Sequence, residues 1–115
     1  MIQTATGLQY EDKKIGTGAG ATVGKSVAIR YTCWITGLGK EPIKIGEAPR
    51  SDPFWFTIGN KTVIEGWDEA ARGMKVGGIR EVIIPPHLGY GSEGLGKKVP
   101  PNSHLLTEIE LLIID

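Results

Sequence analysis

The sequence predicts an α+β domain in which an antiparallel sheet wraps around one short helix. Apolar and polar residues alternate with period two in several segments, which is typical of half-buried strands. Only one segment has a composition that favours a helix, and the strands do not alternate with helices as a parallel sheet would require. The 17 glycines and 7 prolines indicate many turns, which agrees with a strand-rich fold.

The composition is that of one ordinary globular domain. The chain has 115 residues, enough for a single hydrophobic core, so we expect one domain over 1–115 with a flexible N-terminus at 1–6. The formal net charge is zero without a basic run, which argues against a nucleic-acid partner. No stretch reaches the roughly 20 apolar residues of a membrane span. Residues 1–14 lack a signal-peptide core and Cys33 is the single cysteine, so we expect a cytoplasmic protein without internal disulfides. We also expect it to be a monomer.

The first half of the chain carries the predicted strands that flank an irregular segment. A weak strand is expected over Leu8–Ile15. Ser26–Thr36 alternates clearly, and its inward parity consists of Val27, Ile29, Tyr31, Cys33 and Ile35. Gly37–Asp52 mixes glycine, proline and charge, which predicts an irregular excursion or a bulged edge. Phe54–Ile58 is rich in aromatic residues and is predicted to be the next strand.

The second half contains the only predicted helix. Ile64–Arg72 is composed largely of helix-compatible residues, and Gly73 marks its end. Ile79–Ile84 is a further strand, and a long loop rich in glycine and proline follows over His87–Pro101. The last strand is Leu105–Ile113. Its inward parity is predicted to consist of Leu105, Thr107, Ile109, Leu111 and Ile113.

The residues that could support covalent or metal-assisted catalysis are not grouped in the sequence. Cys33, His87 and His104 lack the spacing of metal ligands, so we predict no metal and no cofactor. The sequence has neither a Gly-x-Ser-x-Gly elbow nor a phosphate-binding glycine loop. Carboxylates such as Glu65 and Asp68 lie near the start of the helix, where a solvated helix face explains them better than acid–base catalysis does.

Aromatic residues are the unusual feature of this sequence. Tyr31 lies on the apolar parity of its strand, and Phe54 and Phe56 share a parity in theirs. Trp67 lies near the start of the helix, and Tyr90 stands between two glycines in the long loop. Core packing explains Tyr31 or Phe56 as well as a binding site does. A large ring between glycines in a loop is a poor choice for packing, so Tyr90 favours a functional role.

Short motifs stand out along the chain from Gly7 to Ile113. They include Val-Ile-Glu-Gly-Trp at 63–67, Gly-Met-Lys-Val-Gly-Gly at 73–78, Tyr-Gly at 90–91 and Val-Pro-Pro-Asn-Ser at 99–103. Tyr-Thr at 31–32 and Glu-Leu-Leu at 110–112 stand before and after them. Each motif is short, but their order is that of the FKBP-type peptidyl-prolyl cis-trans isomerases, and the chain resembles that family over nearly its whole length.

The resemblance implies a fold, an activity and a set of site residues. The family fold is an antiparallel, twisted half-barrel sheet of about five strands around one short helix, with the pocket between them. The implied activity is rotation of X-Pro peptide bonds in an apolar aromatic pocket, which assists protein folding. The implied catalytic residues are Tyr31, Trp67 and Tyr90, with Trp67 as the floor of the pocket. The implied substrate-binding residues are Tyr31, Phe54, Val63, Ile64, Trp67, Tyr90, Val99 and Thr107.

The resemblance also implies how ligands are held. The Tyr90 hydroxyl and the backbone N–H of Ile64 would donate hydrogen bonds to peptide carbonyls, and no acid, base or nucleophile is needed. The implied partners are proline-containing polypeptides, together with macrolides such as tacrolimus or rapamycin. No nucleic acid and no membrane are expected as partners.

The segment before Phe54 departs from the family's pattern. Ile45-Gly46 is the nearest match to the family's Phe-Asp pair, so the acid that lines the pocket is missing. Glu47 is an alternative source of this carboxylate. Arg50 matches a basic position that often partners the acid in the family.

Two further departures affect the pocket and its rim. Thr107 stands where the family commonly has an inward aromatic residue, and Lys97-Lys98 replaces apolar residues or glycine at the tip of the long loop. These changes predict weaker macrolide binding than in a typical member. They also leave an alternative function open, a non-catalytic or weakly catalytic chaperone or scaffold that binds proline peptides.

Overall fold

The computed structural model describes residues 1–37 and 41–115. Its elements are β1 (Ile2–Gln3), β2 (Gln9–Lys14), β3 (Ser26–Thr36), β4 (Ile43–Ala48), β5 (Phe54–Thr57), α1 (Glu65–Ala71), β6 (Ile79–Ile84), a 3₁₀ turn at Pro86–Leu88, and β7 (His104–Ile114). The predicted α+β class is confirmed. Each predicted strand and the helix is present, with its ends shifted by at most one residue. The 3₁₀ turn at the start of the long loop was not predicted from the sequence.

Within the described ranges, the strands form one antiparallel, seven-stranded sheet in the order β1-β2-β6-β7-β3-β4, with β5 also paired to β3. On one side, β3 pairs with β7 from Val27 to Thr36. On its other side, Ser26–Ile29 pairs with β5 and Tyr31–Ile35 pairs with β4. The edge of the sheet therefore divides between these partners at Arg30, and we call this place the fork. Tyr31 lies directly beside it.

The predicted irregular segment Gly37–Asp52 contains a bulged edge strand. Residues 38–40 of this segment lie outside the described residues, and Ile43–Ala48 forms β4 at the edge of the sheet. Cys33 pairs with Gly46 but Trp34 pairs with Lys44, so Ile45 is the extra residue of a β-bulge. Of the two interpretations that the sequence left open, the described part of this segment supports the bulged edge.

A second bulge reverses the parity of β7 near its end. Leu112 has no partner in the register between β7 and β3, because Leu111 and Ile113 lie opposite successive residues of β3. Ile114 consequently packs against the core, whereas Ile113 is 47% exposed. The prediction that Ile113 shares the inward face of Leu111 is wrong, since the extra residue moves every later side chain to the other face.

The helix is short and is fixed closely against the sheet. A Cβ atom at Gly66 would lie 2.5 Å from Cγ2 of Ile84, so only glycine permits this approach of α1 to β6. Asp68 is buried and its carboxylate accepts the backbone N–H of Gly59 at 2.8 Å, which ties the loop after β5 to the helix. Gly73 follows the helix with φ +80°, as the predicted stop requires.

The N-terminus is tied to the domain at several points. Strand β1 pairs with β2, and the hydroxyls of Thr4 and Thr6 donate to the Glu69 carboxylate at 2.8 and 2.5 Å. The carbonyl oxygen of Thr6 also lies 2.7 Å from Nε2 of His87. These polar contacts join residues 1–6 to α1 and to the 3₁₀ turn. The flexibility expected of this segment stays a prediction.

The hydrophobic core fills the space between the sheet and α1. Its fully buried side chains come mainly from the central strands β3, β6 and β7, and they include Val27, Ile29, Val82, Ile84, Leu105, Ile109 and Leu111. Ala70 and Ala71 supply the buried face of the helix. No helix in the described ranges has the length and apolar character needed to span a bilayer.

Candidate functional site

A concavity of about 460 Å³ opens between α1, the fork and the long loop. Most of its lining was predicted from the sequence, namely Tyr31, Phe54, Val63, Ile64, Trp67 and Tyr90. Lys61 and Thr62 also line it and were not predicted. The sequence indicates a turn at Gly59-Asn60, but nothing in the pattern indicates that this turn borders a pocket. We call this concavity the aromatic pocket.

Three aromatic rings pack against one another in the pocket. The ring centroid of Trp67 lies 4.4 Å from that of Tyr31 and 5.8 Å from that of Phe54. Phe54 meets Tyr31 at 6.0 Å with an interplanar angle of 78°, an edge-to-face contact. Because each ring supports the others, the lining presents a fixed apolar surface to a ligand.

Hydrogen bonds hold Trp67 at its backbone and at its indole ring. Its backbone N–H donates to the carbonyl of Ile64 at 3.1 Å in the first turn of α1. Its indole Nε1–H donates to Oγ1 of Thr107 at 3.3 Å, and that hydroxyl donates in turn to Sγ of Cys33 at 3.3 Å. The polar edge of the indole is thus satisfied below the pocket, which leaves the ring to act as an apolar surface.

Thr107 and Val99 are not part of the lining of the aromatic pocket. Thr107 is 0% exposed and lies beneath Trp67, so the predicted direct contact with substrate is wrong for this structure. Val99 is 1% exposed and borders a smaller adjoining cavity of about 80 Å³. Strand parity predicts that Thr107 points inward, but it does not tell whether another side chain covers it.

The structure resolves the question of the missing acid. A Cβ atom at Gly46 would lie 3.4 Å from the hydroxyl oxygen of Tyr31, so this position faces the pocket wall and carries no side chain. Glu47 is exposed and pairs with Lys44 at 3.1 Å. The alternative that Glu47 supplies the carboxylate is wrong, because neighbouring residues of a strand point to opposite faces.

Arg50 has a different acidic partner. It donates two hydrogen bonds to the Glu110 carboxylate, at 2.7 and 2.8 Å. Arg30 donates to the same carboxylate at 2.8 Å. Burial alone would raise the pKa of Glu110, but the hydrogen bonds from Arg30 and Arg50 lower it below its usual range. This cluster ties the segment before β5 to β7.

Neutral hydrogen-bond donors stand among the pocket residues. Burial raises the pKa of both Tyr31 and Tyr90, so each phenol keeps its proton at neutral pH. No described side-chain polar atom is buried without a partner, and neither hydroxyl bonds to another described residue, so both hydroxyls reach solvent. The N–H of Ile64 likewise has no backbone acceptor within residues 1–37 and 41–115.

The described residues contain no cluster of His, Cys, Asp and Glu side chains that could hold a metal ion. Cys33, His87 and His104 are accordingly not brought together. Cys33 lies buried below the pocket, where burial raises the pKa of its thiol. The arrangement of the pocket is suited to binding an apolar ring with nearby peptide carbonyls, and the lining contains no acid or base pair.

Comparisons with known proteins agree with this geometry. The sequence profile described as "FKBP-type peptidyl-prolyl cis-trans isomerase" matches residues 18–112. An FK506-binding protein of Neisseria meningitidis serogroup B is 41% identical over 106 residues, covering 92% of this chain and 94% of that protein. FK506-binding protein 4 of Aspergillus fumigatus is 41% identical over 115 residues, but the chain spans only 22% of its length.

Solved structures show the same architecture over almost the whole chain. The crystal structure of AtFKBP13 superposes with a TM-score of 0.86 at 31% identity, covering 98% of this chain and 97% of that chain. A peptidyl-prolyl cis-trans isomerase from Pseudomonas syringae pv. tomato also gives 0.86 at 27% identity, covering 99% of this chain and 80% of that chain. The profile match, the full-length relative and the shared fold establish that this chain belongs to the FKBP-type peptidyl-prolyl cis-trans isomerase family.

Proposed function

We propose that this domain catalyses the cis-trans isomerisation of X-Pro bonds, with the proline ring bound in the aromatic pocket. The packed rings of Tyr31, Phe54 and Trp67 are the observation that carries this proposal. They offer an apolar surface of the size and shape that a pyrrolidine ring can cover. Val63 and Ile64 border the same surface and complete the apolar contact.

Catalysis of this reaction needs no covalent chemistry. Resonance in the planar amide gives a barrier of about 18–20 kcal/mol, and uncatalysed exchange takes roughly 10–100 s. In the twisted transition state the amide has lost resonance and its carbonyl is less polar. An apolar pocket disfavours the more polar planar amide, so it binds the twisted form better and lowers the barrier.

Hydrogen bonds orient the peptide around the bound ring. Among the described residues, the Tyr90 hydroxyl has no hydrogen-bond partner and the Ile64 N–H has no backbone acceptor. Both groups can therefore donate to substrate carbonyls. The raised pKa of Tyr90 keeps its hydroxyl a donor across the physiological range. We assign orientation of the substrate to these groups and the twist itself to the apolar surface of Trp67.

A protease-coupled assay tests the proposal. Chymotrypsin cleaves a short Leu-Pro or Phe-Pro peptide only in the trans form, so an isomerase accelerates the slow phase in proportion to its concentration. We expect such acceleration at micromolar protein, and we expect a proline-mimetic macrolide to suppress it. A slow phase that stays at the uncatalysed rate at every protein concentration would overturn the assignment of catalysis.

The second candidate is a proline-peptide-binding module with little catalytic activity, acting as a chaperone or scaffold. The specific observation in its favour is Gly46, which leaves the Tyr31 hydroxyl without the neighbouring acid found in the family. The same peptides distinguish the two functions. Saturable binding measured by calorimetry, without any change in the slow phase, would favour the module. A monomeric state and a cytoplasmic location stay predictions, testable by light scattering and by fractionation.

A further inference from the structure

Lysines flank the aromatic pocket on two sides. Lys61 lines the main concavity, and Lys98 lines the smaller cavity of about 80 Å³ that adjoins it. The cavities share Tyr31, Ile64, Trp67 and Tyr90, so they meet along the rings that would hold the proline. Each lysine borders one cavity and not the other. A peptide lying across the rings therefore passes the side chains of both lysines.

Within the described residues, the carboxylates that compete for these lysines lie outside both cavities. Among the described residues, no Asp or Glu lines either cavity. Glu47 pairs with Lys44, and Glu110 pairs with arginines. Glu65, Asp68 and Glu69 do line a separate concavity that Lys61 also borders. Of these, Asp68 is paired with Arg72, whereas Glu65 and Glu69 keep their negative charge and compete with a peptide for Lys61.

The absence of a side chain at Gly46 strengthens the positive potential. Gly46 lines the same small cavity as Lys98. An acidic side chain at this position would face the Tyr31 hydroxyl and would lie in the same cavity as the Lys98 ammonium. With glycine there, the polar character of the cavity comes from Lys98 and from the neutral tyrosine hydroxyls.

We propose that the pocket prefers proline peptides that carry an acidic residue immediately beside the proline, with Lys61 and Lys98 as the residues that determine this specificity. This inference rests on the proposed binding of proline in the aromatic pocket. A carboxylate next to the proline would meet an ammonium group at the rim, while the ring packs against Trp67. Exposed ion pairs of this kind change affinity by about two- to fivefold, and salt screens them.

The test compares peptides that differ only in charge. Glu-Pro and Gln-Pro peptides, and their Pro-Glu and Pro-Gln counterparts, are compared for kcat/KM and for Kd at about 20 mM and 1 M salt. We expect a Glu-to-Gln preference of about two- to fivefold at low salt for at least one flank, falling towards one at high salt. Lys61→Gln or Lys98→Gln should reduce this Glu-to-Gln preference for the flank of the proline that the substituted lysine contacts. Lys14→Gln is the matched control, because Lys14 is exposed and borders a different concavity.

Each outcome decides the question. Equal values for Glu and Gln peptides in the wild type would overturn the inference, and so would a preference that survives both lysine substitutions. A preference in Kd without any catalysis would leave the inference standing while the proposed isomerase activity fails. Failure of every peptide to bind would overturn both.

Discussion

The hydroxyl of Thr107 gives a sharp prediction, because it joins the floor of the pocket to the core. Thr107→Val keeps the shape of the side chain but removes the acceptor of the Trp67 indole N–H, 3.3 Å away. It also removes the donor to Sγ of Cys33 at 3.3 Å, which is a weak bond. Thr107 is 0% exposed, so water cannot replace the lost hydroxyl without a local rearrangement.

The expected loss follows from these contacts. An unpaired indole N–H costs about 1–3 kcal/mol, and the buried methyl of valine offsets part of this by about 0.8 kcal/mol. We expect the free energy of unfolding to fall by about 1–2 kcal/mol, which lowers Tm by roughly 5 °C in a domain of this size. Affinity for a proline peptide should fall as well, because the indole ring is no longer held in one orientation.

Thermal unfolding followed by circular dichroism measures the change in Tm. The NMR signal of the Trp67 indole proton reports whether its hydrogen bond is kept. Thr107→Ser is the control, since it keeps the hydroxyl and should keep the hydrogen-bonded indole signal. If Thr107→Val retains that signal, its Tm and its peptide affinity, the hydrogen bond does not fix the floor and the reasoning is refuted. An aromatic residue at this position should not improve ligand binding, because overpacking a filled site costs about 1–3 kcal/mol.

The remaining predictions concern the pocket and the arginine cluster. Trp67→Leu should weaken peptide binding but leave the circular dichroism spectrum unchanged, since leucine still fills the space with apolar atoms; unchanged affinity would contradict its role as the floor. Tyr90→Phe should cost about 0.5–1.5 kcal/mol of ligand binding with little change in Tm, and a large fall in Tm would identify Tyr90 as a core residue instead. The lowered pKa of Glu110 stabilises the fold above the unfolded pKa, and this contribution is lost as the pH falls through the lower folded value. The difference in Tm between pH 7 and pH 3 should therefore be smaller in Glu110→Gln, and an equal difference would show that Glu110 does not contribute.

Sequence patterns predicted the elements well because most depend on local alternation. Strand β3 and helix α1 were predicted almost to the residue, since apolar alternation and a terminal glycine mark them. The bulge at Leu112 was missed, because one extra residue leaves no signal in composition and yet moves Ile113 outward. The order of strands also depends on contacts between distant segments, which alternation does not encode.

The sequence predicted most residues that line the candidate site, but not that another side chain covers Thr107 or that Lys61 borders the pocket. Tyr31, Trp67 and Tyr90 do line one pocket, as the resemblance to the family implied. Thr107 was predicted to contact substrate because its parity is inward, but the sequence does not indicate that Trp67 covers it. Lys61 was missed because its position depends on the path of the turn after β5, where it takes a left-handed conformation with φ 57°.

The fork in the sheet sets the central strands apart from the edge strands β4 and β5. Trp67 belongs to α1 and bonds to the central strand β7, whereas β4 and β5 are edge strands, each paired with β3 alone among the strands that the structure describes. Edge strands with one hydrogen-bonded neighbour exchange their amide protons faster than central ones and tolerate changes in length and sequence. Recombination of β4 and of the long loop, with Phe54 of β5 kept, would therefore leave the packed rings of Tyr31, Phe54 and Trp67 in place. Such chimeras would convert this domain into a scaffold on which new proline-peptide preferences are selected.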